Sequence, residues 1–384
     1  MLHAGATFAA APRVLVLTAA MGSGHLQVSR ELARRLEELG YECRVVDVND
    51  LLPEPAARFM RWVYPWMVNR APWLYGLVYR IFFQAPQDHG ERVALPVLAS
   101  LPGLRRYCRG WRPDAVVSTY HLAAQAAARL RADGTLDALT ITFVTTFGVH
   151  ELWVHPATDA YLCISPLVEQ RLRQRTTRPV HCCGPVVGPD FDPRLPPRPD
   201  PASRLDRHPV GRRLDPGRRV ALIVAGSLGL GDLRRAIGAV AGAEGWQAVV
   251  VCGRNDRLRA QLVGSPAAVV LGWVDDMATV IRRVDVVVDN AGGLTAKEAL
   301  ALGVPVLVLH PIAGHGRDDA EAMVALGVSE IVDDDAELPD ALARAVRDGE
   351  VGAERVRRGR ELFVGDAARA VADLLPAGPA ARTG

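Results

Sequence analysis

Short apolar runs alternate along this chain with segments of helical period. Arg13–Ala20 (RVLVLTAA) has the make-up of a buried strand and enters the loop Met21-Gly-Ser-Gly-His25. Val28, Leu32, Leu36 and Leu39 then recur on one helical face, and Gly40 stands at the C-terminal cap position. Cys43–Val48 is a second buried run. Strand, glycine turn, helix and strand predict a βαβ unit of a parallel sheet, whose ligands gather at the carboxyl ends of the strands. Further strands are predicted at Ala115–Ser118, Thr140–Thr145 and Ala160–Ile164. Nine of the 27 prolines then fall between Pro185 and Pro216, where apolar periodicity stops, which predicts a semi-rigid linker over 185–217. The rhythm restarts with Arg219–Ala225, Gln247–Cys252, Ala268–Gly272, Asp285–Val288 and Val304–Leu309. The pattern predicts an α/β chain of two doubly wound parallel-sheet domains, 12–184 and 218–375, facing a cleft, with a disordered tail over 376–384.

The length of 384 residues gives each domain enough chain for its own core. An apolar content of 49% excludes a disordered or collagen-like chain, and a net charge of +2 argues against nucleic acid as a partner. The six cysteines show no CxxC spacing and read as buried, reduced thiols. MLHAGATFAAAPR has no basic leader before a long apolar run, and no stretch of about 18 apolar residues occurs, so a cytoplasmic chain without a spanning helix is expected. Of 45 basic side chains only Lys297 is a lysine, a bias for which a GC-rich coding sequence is the plainest account.

Asn290-Ala-Gly-Gly-Leu-Thr-Ala-Lys-Glu298 follows the run VDVVVD and opens a helix that ends at Gly303. Adjacent glycines let backbone N–H groups approach a ligand, and the helix N-terminus adds about half a positive charge, a combination suited to a diphosphate. Thr295 and Glu298 also have capping-box spacing, which accounts for both without a ligand. The loop Gly226-Ser-Leu-Gly-Leu-Gly231 is spaced GxxGxG and lacks the acidic partner of a dinucleotide fingerprint, so a small Ser/Gly loop against a phosphate fits better than a nicotinamide site. His25, at the carboxyl end of the first strand, is a candidate general base or a plain structural histidine. Phe59–Phe83 holds nine of 22 aromatics, including Trp62, Trp66 and Trp73, together with Arg61 and Arg70 and no acidic residue. Such a mixture suits a membrane interface or an amphiphilic ligand, or else an aromatic helix pair packed on the sheet, and Pro65 and Pro72 are expected to divide it into short pieces. Neither His181-Cys182-Cys183 nor the runs around Asp47–Asp50 and Asp333–Asp335 have metal-ligand spacing, so no metal and no resident cofactor are expected.

In order, these segments resemble the glycosyltransferase family of monogalactosyldiacylglycerol synthases and processive diacylglycerol glucosyltransferases, with the bacterial lipid I N-acetylglucosaminyltransferase as a more distant relative. Gly22-Ser-Gly-His25 looks like the family's glycine loop. The aromatic stretch lies where the family places its lipid acceptor, and TTFGVHELW (145–153) matches a T-D-x-x-x-H-x-x-W segment at His150 and Trp153. Val251-Cys-Gly-Arg-Asn255, Gly272-Trp-Val-Asp-Asp-Met277 and Ala291–Glu298 follow in the family's order. The resemblance implies the GT-B fold and inverting, metal-independent transfer from a nucleotide-sugar, usually a UDP-sugar, to a lipid or other amphiphilic acceptor on the inner face of the plasma membrane. It implies a donor site of Ser227, Gly253, Asn255, Trp273, Val274, Gly292, Gly293, Leu294, Thr295, Glu298, His315 and Asp319, with Val274 at the uracil and Glu298 at the ribose. It offers His25, His150 and Glu151 as catalytic candidates.

Two positions depart from the pattern. The family's G-Q-E-x-x-N loop is here Gly314-His-Gly-Arg-Asp-Asp319, and Thr146 replaces its aspartate, a loss for which Glu151 is the candidate substitute. These departures keep open a catalytically impaired nucleotide-sugar-binding partner subunit, and the shared fold keeps open a sugar-nucleotide epimerase.

Overall fold

A computed structural model describes residues 11–19, 23–70, 95–194, 213–224, 226, 232–265, 268–346 and 349–375. The first half builds β1 (Arg13–Thr18), β2 (Glu42–Asp47), β3 (Ala115–Ser118), β4 (Leu139–Val144), β5 (Ala160–Cys163) and β6 (Val180–Cys182). They form one parallel sheet in the order β2-β1-β3-β4-β5-β6. The second half builds β7 (Arg219–Val224), β8 (Trp246–Val251), β9 (Ala268–Leu271), β10 (Val286–Asp289), β11 (Val306–Leu309) and β12 (Ser329–Val332). Their parallel sheet has the order β12-β11-β10-β7-β8-β9. Strand order reverses between β1 and β3 in one sheet and between β7 and β10 in the other, and ligands of open α/β sheets bind at such reversals. Two packed six-stranded parallel sheets with flanking helices match the GT-B architecture that the resemblance implies.

The helices of the first half are α1 (Ser23–Glu38), α2 (Glu54–Arg70), α3 (Leu95–Trp111), α4 (His121–Ala132) and α5 (Pro166–Arg173). Side-chain alternation along β1 explains how the sheet is covered. Val14 and Val16 enter one core with Leu32 and Leu36 of α1, while Leu15 and Leu17 enter another with Leu104 of α3 and Ala127 of α4. In the second half the helices are α6 (Leu233–Gly242), α7 (Asp256–Leu262), α8 (Met277–Ile281), α9 (Leu294–Leu302), α10 (His315–Ala325), α11 (Leu338–Ala345), α12 (Glu350–Glu361) and α13 (Ala367–Asp373). Ala221 and Ile223 of β7 face α6 and α11, and Leu222 and Val224 face a core that the two halves share.

That shared core includes the end of the chain. Ala367, Ala368 and Val371 of α13 join Leu32 and Leu36, and Asp366 lies 3.9 Å from Arg35. The start of the proline-rich stretch is packed too, with Val186 and Val187 buried. Residues 195–212 and 376–384 fall outside the described set. Against expectation, α2 runs through Pro65 as one helix, because the loss of a single backbone bond does not outweigh the helix its neighbours favour. Its described span is Glu54–Arg70, and Pro72 lies outside the described residues.

Gly184 turns the chain at the seam between the halves with φ of 76°, and a Cβ there would lie 2.4 Å from the Leu362 carbonyl oxygen. Gly184→Ala is expected to destabilise the chain by about 2–4 kcal/mol, from left-handed strain plus overpacking. Gly134→Ala, also at positive φ but with nothing within 4 Å, should cost only the strain, about 1–2 kcal/mol. Paired urea melts of the two variants measure the difference.

Candidate active site

The carboxyl ends of β1, β3 and β4 converge on one imidazole. His25 is the third residue of α1, inside the first helical turn rather than at the end of a loop. Its Nδ1 lies 3.1 Å from the Thr119 carbonyl oxygen, and a carbonyl only accepts, so Nδ1 carries the proton and Nε2 keeps a lone pair. Thr145 Oγ1 sits 3.3 Å from the same nitrogen and donates to the Thr119 carbonyl. Ser29 Oγ donates to the His25 carbonyl at 2.7 Å and lies 2.7 Å from Thr119 Oγ1, which fixes this helical turn against β3. Burial, then the charge of Lys297, pushes the His25 imidazole down to about 4, so it is neutral at pH 7.

Opposite stands the turn from β10 into α9. Asp289 is buried at the end of β10, and its Oδ2 accepts from the N–H groups of Gly292 (2.6 Å) and Ala291 (3.2 Å). Gly292 takes φ of 63°, which suits glycine, and Gly293 caps the helix. Thr295 lies within the helix and no side chain caps it, so the capping box suggested by the spacing does not form. The opening N–H groups of α9 have no acceptor within the helix and end at the cleft. Lys297 extends back over this turn, donating to the carbonyls of Gly292 (2.9 Å) and Gly293 (3.3 Å). Its ammonium lies 5.0 Å from the centre of the Phe147 ring in the other half.

The halves also meet through Asp319, whose Oδ1 accepts from the Gly148 N–H at 2.6 Å. Any Cβ on Gly148 would come within 2.9 Å of that oxygen, so glycine permits the approach. Burial raises Glu298 and Asp319 to about 7 and drives His315 down to about 4. Together these groups line a cleft of about 480 Å³ whose walls come from both sheets.

The structure brings His25, Gly253, Trp273, Val274, Gly292, Gly293, Leu294, Thr295, Glu298, His315 and Asp319 to that one cleft. Gly292 does not fit as an N–H donor there, because Asp289 already takes its proton. Asn255 caps α7 through its side chain, which accepts from the Leu258 N–H at 3.0 Å. His150 stacks on Trp153 and meets His121 edge-on, its imidazole held down to about 3 by burial. Glu151 faces Arg175 at 3.2 Å and does not replace the missing aspartate; the Thr119 carbonyl orients His25 instead. Ser227 and Trp73 fall outside the described residues, as do the side chains of Arg61 and Arg70. Trp62 and Trp66 stack one helical turn apart on α2 and are 63% and 42% exposed. Asp289, Thr119 and Phe147 take part in the site without having been singled out in the sequence. Asp289 alone had a local signal, as the last residue of the strand that feeds the glycine turn.

Comparison with known proteins matches both halves. Residues 25–187 fit the model for monogalactosyldiacylglycerol (MGDG) synthase, and residues 220–367 fit the glycosyltransferase family 28 C-terminal domain. The processive diacylglycerol beta-glucosyltransferase of Bacillus subtilis (strain 168) is 26% identical over 348 residues, spanning 88% of this chain and 87% of its own. That of Bacillus mycoides (strain KBAB4) is 26% identical over 344 residues, spanning 85% and 84%. Among solved structures, the glycotransferase of kitacinnamycin superposes with a TM-score of 0.64 at 20% identity, over 95% of this chain and 100% of its own. MurG of Acinetobacter baumannii gives 0.56 at 17%, over 94% and 98%. Fold and paired domains define the class: the protein is a GT-B glycosyltransferase. More narrowly, its first half carries the monogalactosyldiacylglycerol synthase domain and its second half the family 28 C-terminal domain, and over most of its length it is similar to processive diacylglycerol beta-glucosyltransferases.

The buried titrating groups make stability depend on pH in a calculable direction. His25, His121, His150 and His315 all lie below their ordinary 6.5, so between pH 6.5 and about 4.5 the unfolded chain binds protons that the folded one refuses, and acidification destabilises. Glu298, Asp319 and Asp289 are raised and act in the opposite direction over the same range. The two sets oppose each other, so the contribution of one imidazole is read by difference. His150→Phe keeps a ring beside Trp153 and removes one imidazole, so it should flatten the loss of stability by up to about 1.4 kcal/mol per pH unit in urea melts at pH 7, 6 and 5.

Proposed function

We propose that this chain transfers a sugar, with inversion, from a UDP-sugar to a hydroxyl of a diacylglycerol-like lipid. The observation that carries the reading is the pairing, across one cleft, of an unprotonated His25 Nε2 with the helix N-terminus at Gly293–Thr295. The relatives are named for a diacylglycerol acceptor, and Trp62 and Trp66 form an exposed aromatic pair in the same half as His25.

Each contribution follows from chemistry. Trp273 and Val274 border the base, with the Arg254 guanidinium 4.4 Å from the Trp273 ring centre, and Glu298 accepts from the ribose hydroxyls. The N–H groups of Gly293, Leu294 and Thr295 take the diphosphate, assisted by Ser227. His315 and Asp319 flank the sugar. The acceptor oxygen attacks the anomeric carbon from the face opposite the diphosphate. The anomeric carbon–oxygen bond breaks with its electron pair going to the departing phosphate oxygen, and His25 Nε2 takes the hydroxyl proton. Negative charge grows on the diphosphate, where fixed dipoles stabilise it without a metal. The exposed aromatic pair supports a reaction at a membrane surface, on this reading the cytoplasmic one; among the described residues no helix is long and apolar enough to cross a membrane.

A second reading, a donor-binding subunit without turnover, draws on the loss of a carboxylate beside His25 and on the commitment of Asp319 to Gly148. Epimerisation has no such observation behind it.

UDP at about 100 times its Kd should raise the melting temperature by roughly 3 °C, more than GDP or TDP do. His25→Ala should lower kcat by about 10²–10⁴-fold with the UDP shift intact. Unchanged kcat rules out the base; UDP binding without transfer to diacylglycerol or its glycosides in the wild type favours the second reading. In flotation with anionic vesicles at low salt, Trp62→Ser/Trp66→Ser should bind less than the wild type, and a wild type that stays at the bottom rules out the lipid surface.

A further inference from the structure

Lys297 is buried at 5% exposure, in the first turn of α9. Each feature of that position works against a cation. A positive side chain in the first turn opposes the helix dipole, and taking an ammonium out of water is costly unless a counter-charge meets it. Among the described residues no carboxylate pairs with Nζ; Asp319, Asp289 and Glu298 act on it only at longer range. Its hydrogen bonds go to two neutral carbonyls, at Gly292 and Gly293. The charge nevertheless lines the cleft, at the turn whose N–H groups face inward, and Lys297 is the sole lysine of a chain whose other basic side chains are all arginine.

We propose that Lys297 is the counter-ion of the donor's diphosphate: a positioning and charge-neutralising residue that exchanges carbonyl contacts for phosphate oxygens when the nucleotide enters. The inference rests on the nucleotide-donor reading above and deepens it. A phosphate oxygen beyond the end of α9 would meet Nζ and the helix N–H groups together. A buried cation without a fixed anion is a cost to the empty protein and a gain to the loaded one.

Lys297→Met keeps an unbranched side chain, one atom shorter, and removes its charge. Titration calorimetry with uridine, UMP and UDP should show a penalty that grows with phosphate, reaching about 10- to 100-fold for UDP and absent for uridine. kcat should fall as well, because the leaving group carries the charge that Lys297 meets. Equal losses for all three ligands would show that Lys297 only shapes the turn, and undiminished UDP binding would overturn the proposal. If the wild type binds neither UDP, GDP nor TDP, the donor reading itself falls and takes this one with it. A measurement on the unaltered chain covers the case of a variant that does not fold. Uridine diphosphopyridoxal forms an imine with an amine, releasing water, and borohydride reduces it. Peptide mapping should find the adduct on Lys297, suppressed by excess UDP. An adduct confined to the chain's N-terminal amine, or one that UDP does not suppress, contradicts the assignment.

Discussion

Desolvation is the constraint on which this cleft depends. Two parallel sheets present their carboxyl ends to each other, so every polar group between them loses water on both sides. Imidazoles answer by staying neutral and carboxyls by moving toward the protonated form, as His25, His315, Glu298 and Asp319 do. Asp289 also loses water, yet two backbone N–H groups meet its carboxylate, and that bond holds the glycine turn in the shape α9 needs. Arrangement and protonation are thus one problem here, solved together.

The same burial joins the halves. Asp319 with Gly148, Lys297 with Phe147, and the approach of Gly24 to Leu294 all cross the cleft, and α13 returns the chain to the core of the first half. Asp319, Lys297, Leu294 and Gly24 lie in or at the start of helices, and Phe147 and Gly148 in the bend after β4, where glycine lets the backbone come close to the Asp319 carboxylate.

What the sequence discloses follows from how locally each feature is determined. The inner strands are fully buried apolar runs, so Val14–Leu17, Ala115–Val117 and Val286–Val288 announce themselves. The outer strands β6 and β12 do not: Val180-His-Cys182 and Ser329-Glu-Ile-Val332 are short and interleave polar residues, since an edge strand is half solvated. The glycine turn before α9 and His25 were legible because their chemistry is carried by adjacent residues. Asn255 caps α7, a role that its sequence alone does not separate from a ligand role, since a cap and a ligand call for the same side chain. The contact between Gly148 and Asp319 spans 171 residues, and no local pattern encodes a meeting of a bend and a helix over that distance.

The electrostatic balance of the empty cleft bears on the order of events in the proposed reaction. With an imidazole at about 4, His25 is unprotonated but a weak base, held down by burial and by the charge of Lys297. A diphosphate that neutralises Lys297 removes that second influence and adds a negative charge nearby, and both changes raise the basicity of Nε2 toward the working pH, where general-base catalysis is most effective. Carboxyls near neutrality at Glu298 and Asp319 offer the incoming phosphates less repulsion than full carboxylates would. The acceptor therefore gains a competent base only after the donor is in place. On the proposed reading, donor first and acceptor second is the order that this distribution of charge favours.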